Sequence, residues 1–296
     1  MTQPIRNRRL TMLGGLLAAA SLTGALVPAQ AAPPEDLPIE PVGYPIVDGK
    51  TDFDNPLEVP DLTADPGYSS TSASDGSLGA ARSVIGRDGR TQVTDASKSP
   101  YRRTGQLAIT RPDGRPTHCT AWLVSDRTAV TAGHCVEGGT YSDLAFTPAR
   151  DTEGEAPYGT FEPSEVWFDA RGTGSGGDWA VLRFDESIGN TVGWYGLAPK
   201  AANAFTGQNA TVIGYPADKP EGTMWQHTDV VSGATSRKVN YKTDTAGGQS
   251  GSAVTTDNQH VANAIHTNGT FDTTNGSNSG TRLTAELFNT IAQLRR

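Results

Sequence analysis

Three short segments of this 296-residue chain carry side chains that could work together in nucleophilic catalysis. His134 follows an apolar run, Asp178 precedes another, and Ser250 lies in the glycine-rich segment 245–252. A serine hydroxyl is a weak nucleophile at neutral pH, so it needs a base that removes its proton. The base in turn needs a carboxylate that fixes its tautomer and stabilises its cationic form. The chain therefore offers a candidate nucleophile, a candidate base and a candidate orienting group.

The residues around Ser250 predict how negative charge would be stabilised during the reaction. Glycines before the serine let successive backbone N–H groups converge, so we expect the amides of Gly248 and Ser250 to form an oxyanion hole. The order histidine, aspartate, serine differs from the order found in α/β-hydrolases, and the G-x-S-x-G elbow is absent because Ser252 occupies its last position. Each residue alone has an ordinary structural explanation, but their joint occurrence in this order makes coincidence improbable.

The elements that must position these residues read as β-strands. Short apolar runs alternate with turn-forming residues from Gly105 onward, which favours a barrel or sandwich over a parallel α/β sheet. The runs are 107–109, 120–124, 128–131, 179–184, 211–215 and 261–265. One helix is predicted at the C-terminus, because Leu283, Leu287, Ile291 and Leu294 recur at helical spacing after the candidate N-cap Thr284.

The N-terminal third of the chain is predicted to be removed. Three arginines precede the apolar stretch 13–27 and the small-residue run 29–32, which is typical of a secretory signal peptide over residues 1–32. A membrane anchor is the alternative, and the stretch is short for one. The arginine pair also admits twin-arginine export. Either route leads to a secreted, extracellular protein without a membrane association once the signal is removed.

Residues 33–82 differ in composition from the remainder of the chain. They hold eight prolines and ten carboxylates but only two basic residues, and they lack the apolar periodicity needed for a core of their own. We interpret them as a pro-segment or linker, and residues 83–296 as the functional domain. The net charge of −8 argues against nucleic acid as a partner. Nothing in the sequence indicates an oligomer, so a monomer is expected.

Cys119 and Cys135 are the chain's two cysteines. An even pair in an exported protein predicts a disulfide, and closing this loop would stabilise the fold by about 3 kcal/mol. Metal binding is the alternative, because each cysteine follows a histidine, but the spacing matches no zinc pattern. Loop carboxylates such as Asp143 and Asp151 are compatible with a structural calcium ion, although no ligand spacing indicates one. No cofactor is therefore expected.

These segments resemble the trypsin-like serine peptidases and, more narrowly, the glutamyl endopeptidases of bacteria. The likeness runs from about Ser83 to the C-terminus, whereas residues 1–82 match only in layout. The matching blocks are 83–86, 90–94, 100–102, 189–193, 214–216, 225–227, 247–252, 266–269 and 280–282. The resemblance implies two six-stranded antiparallel β-barrels with the site between them. It also implies that His134 is the general base, Asp178 its orienter and Ser250 the nucleophile.

The resemblance also implies a preference for substrates that carry a glutamate before the cleaved bond. In this family a residue five positions before the nucleophile lines the specificity pocket, and here that residue is Thr245, which has no carboxylate. His266 stands where glutamyl endopeptidases contact the substrate carboxylate. Together they imply cleavage after Glu, and more weakly after Asp. Thr245 alone would also permit small or apolar side chains, which leaves a different specificity as an alternative.

Activation departs from the pattern of the pancreatic-type relatives. Gln249 stands where those relatives have an aspartate that pairs with the newly formed α-amino group. The subfamily resemblance instead places the freed N-terminus near the specificity pocket, so cleavage between Arg82 and Ser83 is expected to make Ser83 part of substrate binding. An inactive secreted binding protein with the same fold is a further alternative, and the unsubstituted triad argues against it.

Overall fold

The structure is a computed structural model that describes residues 38–59, 83–136, 141–152, 155–175 and 177–295. The predicted signal peptide, residues 1–32, lies outside the described residues. In chain order the strands are β1 (Pro41–Val47), β2 (Lys50–Thr51), β3 (Thr91–Gln92), β4 (Thr104–Thr110), β5 (Pro116–Leu123), β6 (Thr128–Thr131), β7 (Asp143–Pro148), β8 (Glu165–Asp169), β9 (Ala180–Arg183), β10 (Gly196–Leu197), β11 (Asn209–Gly214), β12 (Trp225–Ala234), β13 (Lys238–Tyr241), β14 (Ala253–Thr255), β15 (Val261–Ala262), β16 (Ala264–Asn268) and β17 (Asn278–Arg282). The α-helices are α1 (Gly189–Val192) and α2 (Ala285–Leu294).

The strands form two antiparallel barrels, as the family resemblance implied. The first follows the order β8-β9-β6-β5-β4-β7, and a bridge between Phe146 and Phe161 brings the chain before β8 against β7. The second follows the order β11-β14-β16-β17-β13-β12 and closes through pairing of β12 with β11. The short strand β3 adds to the outside of β12, and β10 pairs in parallel with β15 in a separate small sheet.

In the described part of the chain, buried side chains form four clusters, three of which build and join the barrels. One is built from the first barrel, including Leu107, Phe146 and Leu182, and another from strands of the second. The third joins both barrels to α2, since it contains Trp122 of β5 and Ile265 of β16 together with residues of the helix. The relative position of the two barrels is therefore set by apolar packing, the dominant favourable contribution to folding.

The C-terminal helix forms as its sequence predicted. The Thr284 hydroxyl accepts a hydrogen bond from the Leu287 amide at 3.1 Å, which satisfies one of the donors left free at the helix start. Leu287, Ile291 and Leu294 lie on the buried face, where they pack against the cluster shared by the two barrels. Among the residues described, no helix is long and apolar enough to cross a membrane.

Two features differ from the sequence-based expectations. The apolar run 261–265 is not one strand: β15 and β16 flank Asn263, whose side-chain amide donates to the Ala198 carbonyl at 3.1 Å. In addition, the part of the predicted pro-segment that the structure describes is folded. Its strand β1 pairs with β8 and extends the sheet of the first barrel, a pairing that its proline-rich composition did not suggest.

Replacing Leu287 by alanine should destabilise the protein by about 2–5 kcal/mol, because it removes a fully buried side chain from the cluster that joins both barrels. Urea unfolding of the variant would measure the loss. The control is Phe271→Ala, since Phe271 is 82% exposed and should change the free energy of unfolding by less than about 0.5 kcal/mol. Equal effects of the two substitutions would contradict the proposed role of this cluster.

Candidate active site

Pairing of β6 with β9 brings His134 and Asp178 together. His134 lies in the helical turn Gly133–Cys135 directly after β6, and Asp178 precedes β9. The imidazole Nδ1 lies 3.1 Å from Oδ1 and 3.0 Å from Oδ2 of Asp178, and the backbone amide of His134 donates to Oδ1 at 3.0 Å. Burial raises the pKa of Asp178, but the hydrogen bonds from His134 outweigh it and leave the pKa below its ordinary value. The carboxylate is thus ionised and holds the histidine in one orientation.

Strand β5 of the first barrel holds the loop that carries Ser250. The Thr120 amide donates to the Ser250 carbonyl at 2.8 Å, and the Thr120 hydroxyl donates to the Gly248 carbonyl at 2.9 Å. The Trp122 indole donates to the Gly251 carbonyl, also at 2.9 Å. Three carbonyl groups of the nucleophile loop are therefore tied to the barrel that carries His134 and Asp178.

Two glycines in this loop are required by its shape. Gly248 and Gly251 have φ values of +93° and +88°, a region in which side chains other than glycine are strained. A Cβ atom on Gly248 would overlap His118 and the Tyr215 carbonyl, and one on Gly251 would overlap Thr120. Among the described residues, no hydrogen bond involves the amides of Gly248 and Ser250, which is the condition the predicted oxyanion hole needs.

His134 and Ser250 line one open cavity of about 490 Å³. The described residues include no hydrogen bond between the Ser250 hydroxyl and the His134 imidazole, a contact that in unliganded sites often tightens only when substrate binds. Among the described residues that line the cavity, Arg111 carries a permanent charge and none is a carboxylate. The cavity therefore presents a neutral to basic surface to a bound molecule.

Cys119 and Cys135 form the predicted disulfide, which links β5 to the turn that carries His134. Their sulfur atoms and a His134 nitrogen lie within 4.8 Å of one another, a grouping that could suggest a metal site. A disulfide has no thiolate to offer a metal ion, and thiolate is the form in which cysteine acts as a ligand. The pair of His-Cys segments is thus explained by the disulfide.

His266 lies in the wall of the cavity and is almost fully buried, with 3% of its surface exposed. Its Nδ1 is 2.6 Å from the Tyr241 hydroxyl. Burial, together with the nearby charges of His134 and Lys238, lowers the pKa of His266 to about 3. The ring is therefore neutral at physiological pH and retains one N–H donor.

Thr245 and Ser83 lie side by side but do not line the open cavity. The Thr245 amide donates to the Ser83 carbonyl at 3.2 Å, and the Asn278 side chain donates to the same oxygen at 2.8 Å. Both Thr245 and Ser83 are 1% exposed. Ser83 thus lies next to Thr245, the residue that the family resemblance assigned to the specificity pocket.

Asp244 is a buried carboxylate that the sequence analysis did not identify. It lies directly before Thr245, is 2% exposed, and accepts hydrogen bonds from the amides of Ile85 at 2.7 Å and Gly89 at 2.8 Å. Its own amide donates to Nδ1 of His227 at 2.7 Å. The carboxylate thus anchors the segment that begins at Ser83. Because the partners are backbone amides, no side-chain motif could have indicated this role.

Lys238 and Gln249 also contribute to the site in ways that the sequence did not show. The Lys238 side chain is partly buried, and its ammonium donates to the Thr267 hydroxyl at 2.9 Å and to the Asn268 side chain at 3.0 Å. Burial lowers the pKa of Lys238, and the nearby Asp178 opposes this effect. The Gln249 side chain accepts a hydrogen bond from the Ala246 amide at 2.9 Å, so it braces the nucleophile loop from within.

A sequence model of the trypsin family matches residues 91–285. The chain therefore belongs to the trypsin family of serine proteases, and it is a serine endopeptidase that acts on peptides or proteins.

Known proteins similar to this chain include bacterial proteases. An extracellular metalloprotease of Bacillus subtilis is 40% identical over 223 residues, which cover 71% of this chain and 68% of the relative. A glutamyl endopeptidase of Bacillus licheniformis is 36% identical over 225 residues, with the same coverage of both chains. A solved structure of a Glu endopeptidase in complex with MPD superimposes with a TM-score of 0.63 at 28% identity, over 72% of this chain and 99% of the other.

Replacing Asp244 by asparagine should release the segment that begins at Ser83. The amides of Ile85 and Gly89 bind different carboxylate oxygens, and in asparagine one of these is replaced by an NH2 group that cannot accept; hydrogen bonds to charged groups are worth about 1.5–3 kcal/mol each. Hydrogen exchange at the amides of Ile85 and Gly89 should therefore accelerate, with Asp185→Asn at an exposed carboxylate as the control. Unchanged protection of these two amides would contradict the anchoring role of Asp244.

Proposed function

We propose that the protein is secreted as a precursor and, once processed, cleaves peptide bonds after glutamate, and more weakly after aspartate, through an acyl-enzyme intermediate. The observation that carries the proposal is the cavity that His134, Ser250 and His266 share, with Asp178 hydrogen-bonded to His134. The relationship to glutamyl endopeptidases supports the choice of substrate. No metal or cofactor takes part in this proposal.

The first half of the reaction forms the acyl-enzyme. The Ser250 oxygen attacks the carbonyl carbon of the substrate while Nε2 of His134 takes the hydroxyl proton. Asp178 stabilises the imidazolium through Nδ1, and the amides of Gly248 and Ser250 donate to the oxyanion. When the tetrahedral intermediate collapses, the bond to nitrogen breaks and His134 gives its proton to the leaving amine. An ester between Ser250 and the acyl half of the substrate remains.

The second half repeats these steps with water. His134 removes a proton from the water molecule as the water oxygen attacks the ester carbonyl, and the same two amides hold the oxyanion. Collapse then breaks the ester bond, and His134 returns the proton to the Ser250 oxygen. The products are a peptide with a new carboxyl terminus and the regenerated enzyme.

Glutamate preference requires donors around a buried carboxylate. We propose that the Tyr241 hydroxyl donates to Nδ1 of His266. Burial raises the pKa of Tyr241 well above its ordinary value, so the hydroxyl keeps the proton that this bond needs. The proton of the neutral His266 ring is then on Nε2, where it can be donated to a substrate carboxylate. The Arg111 charge in the same cavity favours an anionic substrate, and no carboxylate among the described lining residues opposes it.

Processing would complete the pocket. Ser83 already lies against Thr245, so cleavage of the bond between Arg82 and Ser83 would create an α-amino group beside the proposed pocket. A charged amine within reach of the substrate carboxylate would form a charge-assisted hydrogen bond. Thr245 and Ser83 are thus proposed to line the inner end of the pocket, beyond the open cavity.

Replacing Ser250 by alanine should lower peptide hydrolysis by roughly a million-fold while leaving the melting temperature nearly unchanged. An active-site phosphonylating reagent should label the parent protein at Ser250 and fail to label the variant. Absence of label on the folded parent would favour an inactive binding protein instead.

Replacing His266 by alanine should lower the preference for Glu over Gln peptides by roughly 10- to 100-fold in kcat/KM, the value of a lost hydrogen bond to a charge. A panel of Glu, Asp, Gln, Lys and Phe peptides measures the ratio. His260→Ala is the control, because His260 bonds Arg103 and does not line the cavity. A Glu/Gln ratio that stays constant would remove His266 from the pocket, and a parent enzyme that prefers Phe or Lys would favour the alternative specificity.

An Arg82→Gln precursor that stays uncut should hydrolyse Glu peptides far more slowly than the processed enzyme, because it has no α-amino group at Ser83. The uncut precursor should still react with the phosphonylating reagent at Ser250. This reaction would show that the nucleophile is intact and that only the substrate pocket is incomplete. N-terminal sequencing confirms that each sample is uncut or begins at Ser83. Equal rates on Glu peptides would exclude the amino group from substrate binding.

A further inference from the structure

The described part of the predicted pro-segment is bound along one edge of the first barrel. Strand β1 runs antiparallel to β8 over five residue pairs, from Pro41 opposite Asp169 to Pro45 opposite Glu165. The main chain continues the contact at both ends, because the Ala170 amide donates to the Glu40 carbonyl and the Ile46 amide to the Ser164 carbonyl, each at 2.8 Å. The backbone of β8 is thereby paired with a strand on both sides, with β1 on one and β9 on the other.

Side chains of this segment alternate as expected for a strand with one buried face. Val42, Tyr44 and Ile46 pack against the core of the first barrel, and the Tyr44 ring centroid lies 5.9 Å from that of Phe168. Beyond the strand, Ile39 and Leu57 pack against the cluster that joins both barrels to α2. The segment therefore buries its few apolar residues against the enzyme domain, although it cannot form a core by itself.

Specific contacts define how the segment fits. Gly43 lies so close to the Trp167 indole that a Cβ atom would overlap the ring. The Ile39 amide donates to a carboxylate oxygen of Glu286 at 2.6 Å, and the hydroxyl of Thr51 hydrogen-bonds the hydroxyl of Tyr141. These contacts give the pairing a single register, because a slip by one residue would turn the apolar face to solvent.

The segment lies away from both the cavity and the predicted processing point. None of the residues that line the cavity around Ser250 belongs to the range 38–59. The predicted cut precedes Ser83, whose contacts are with Thr245 and Asn278 of the second barrel. Hydrolysis of that peptide bond would therefore remove none of the contacts that hold residues 39–57.

We propose that residues 39–57 remain bound to the edge of β8 after the Arg82–Ser83 bond is cut, so that the processed enzyme is a two-chain, non-covalent complex. The edge of β8 is then a strand-binding site, a mode of recognition in which main-chain hydrogen bonds give affinity and alternating side chains give specificity. This inference rests on the proposed processing, but it is independent of which residue the enzyme cleaves after.

The experiment uses the full chain with Ser250→Ala, which prevents self-digestion, and with the recognition sequence of a site-specific protease in place of residues 79–82. After complete cleavage, native mass spectrometry and size-exclusion chromatography at high ionic strength should show the two fragments as one complex. Recovery of the fragment that contains residues 39–57 separately from the chain that begins at Ser83 would overturn the proposal. Because this protein is inactive, the result does not depend on glutamate specificity.

A matched pair of variants tests the register. Gly43→Val should lose the complex after cleavage, because its side chain cannot fit against Trp167, whereas Val47→Thr should keep it, because Val47 is 54% exposed. A Gly43→Val complex as stable as the parent would overturn the proposal.

Hydrogen exchange gives a test that needs no change in the paired strands. In the cleaved parent protein, the Ala170 amide should remain as protected as in the uncut chain, because its acceptor is the Glu40 carbonyl. Rapid exchange at Ala170 after cleavage would show that the segment had left, and would equally overturn the proposal.

Discussion

The site depends on a small set of hydrogen bonds that cross from one barrel to the other. Thr120 and Trp122 of β5 bind three carbonyl groups of the loop 248–251, and the Thr120 carbonyl in turn accepts from the Thr131 hydroxyl at 2.8 Å. The bonds from Thr120 and Trp122 hold the loop 248–251 against the barrel that carries His134 and Asp178.

The disulfide between Cys119 and Cys135 constrains the side of the site that carries His134. It joins β5, which holds the nucleophile loop, to the turn that presents His134. Strand β5 therefore contacts both the turn that carries His134 and the loop that carries Ser250, and it fixes the position of each relative to the other. Catalysis by preorganised groups needs such fixed positions, because small displacements of a base or donor cost large factors in rate.

The sequence predicted those parts of the site that depend on side-chain chemistry in a fixed order. His134, Asp178 and Ser250 could be named because a serine nucleophile needs these partners, and Thr284 because helices begin with such residues. Asp244, Lys238 and Tyr241 could not be found in the same way. Their partners are backbone amides or residues far along the chain, so only the folded structure brings them to the site. Strand β1 was not predicted for a related reason. It is stabilised by its pairing with β8, which its own composition does not reveal.

The proposed pocket is assembled from chain segments that are distant in sequence. Ser83 meets Thr245 and Asn278, and the residues after Ser83 are fixed by Asp244 and by Arg90, whose buried guanidinium lies between Asp88 and Asp218. A chain that is still emerging or unfolded in transit has neither this wall nor a shaped loop at Ser250. Both the proposed pocket and the loop at Ser250 therefore exist only in the folded chain, because each is formed by segments that lie far apart in sequence.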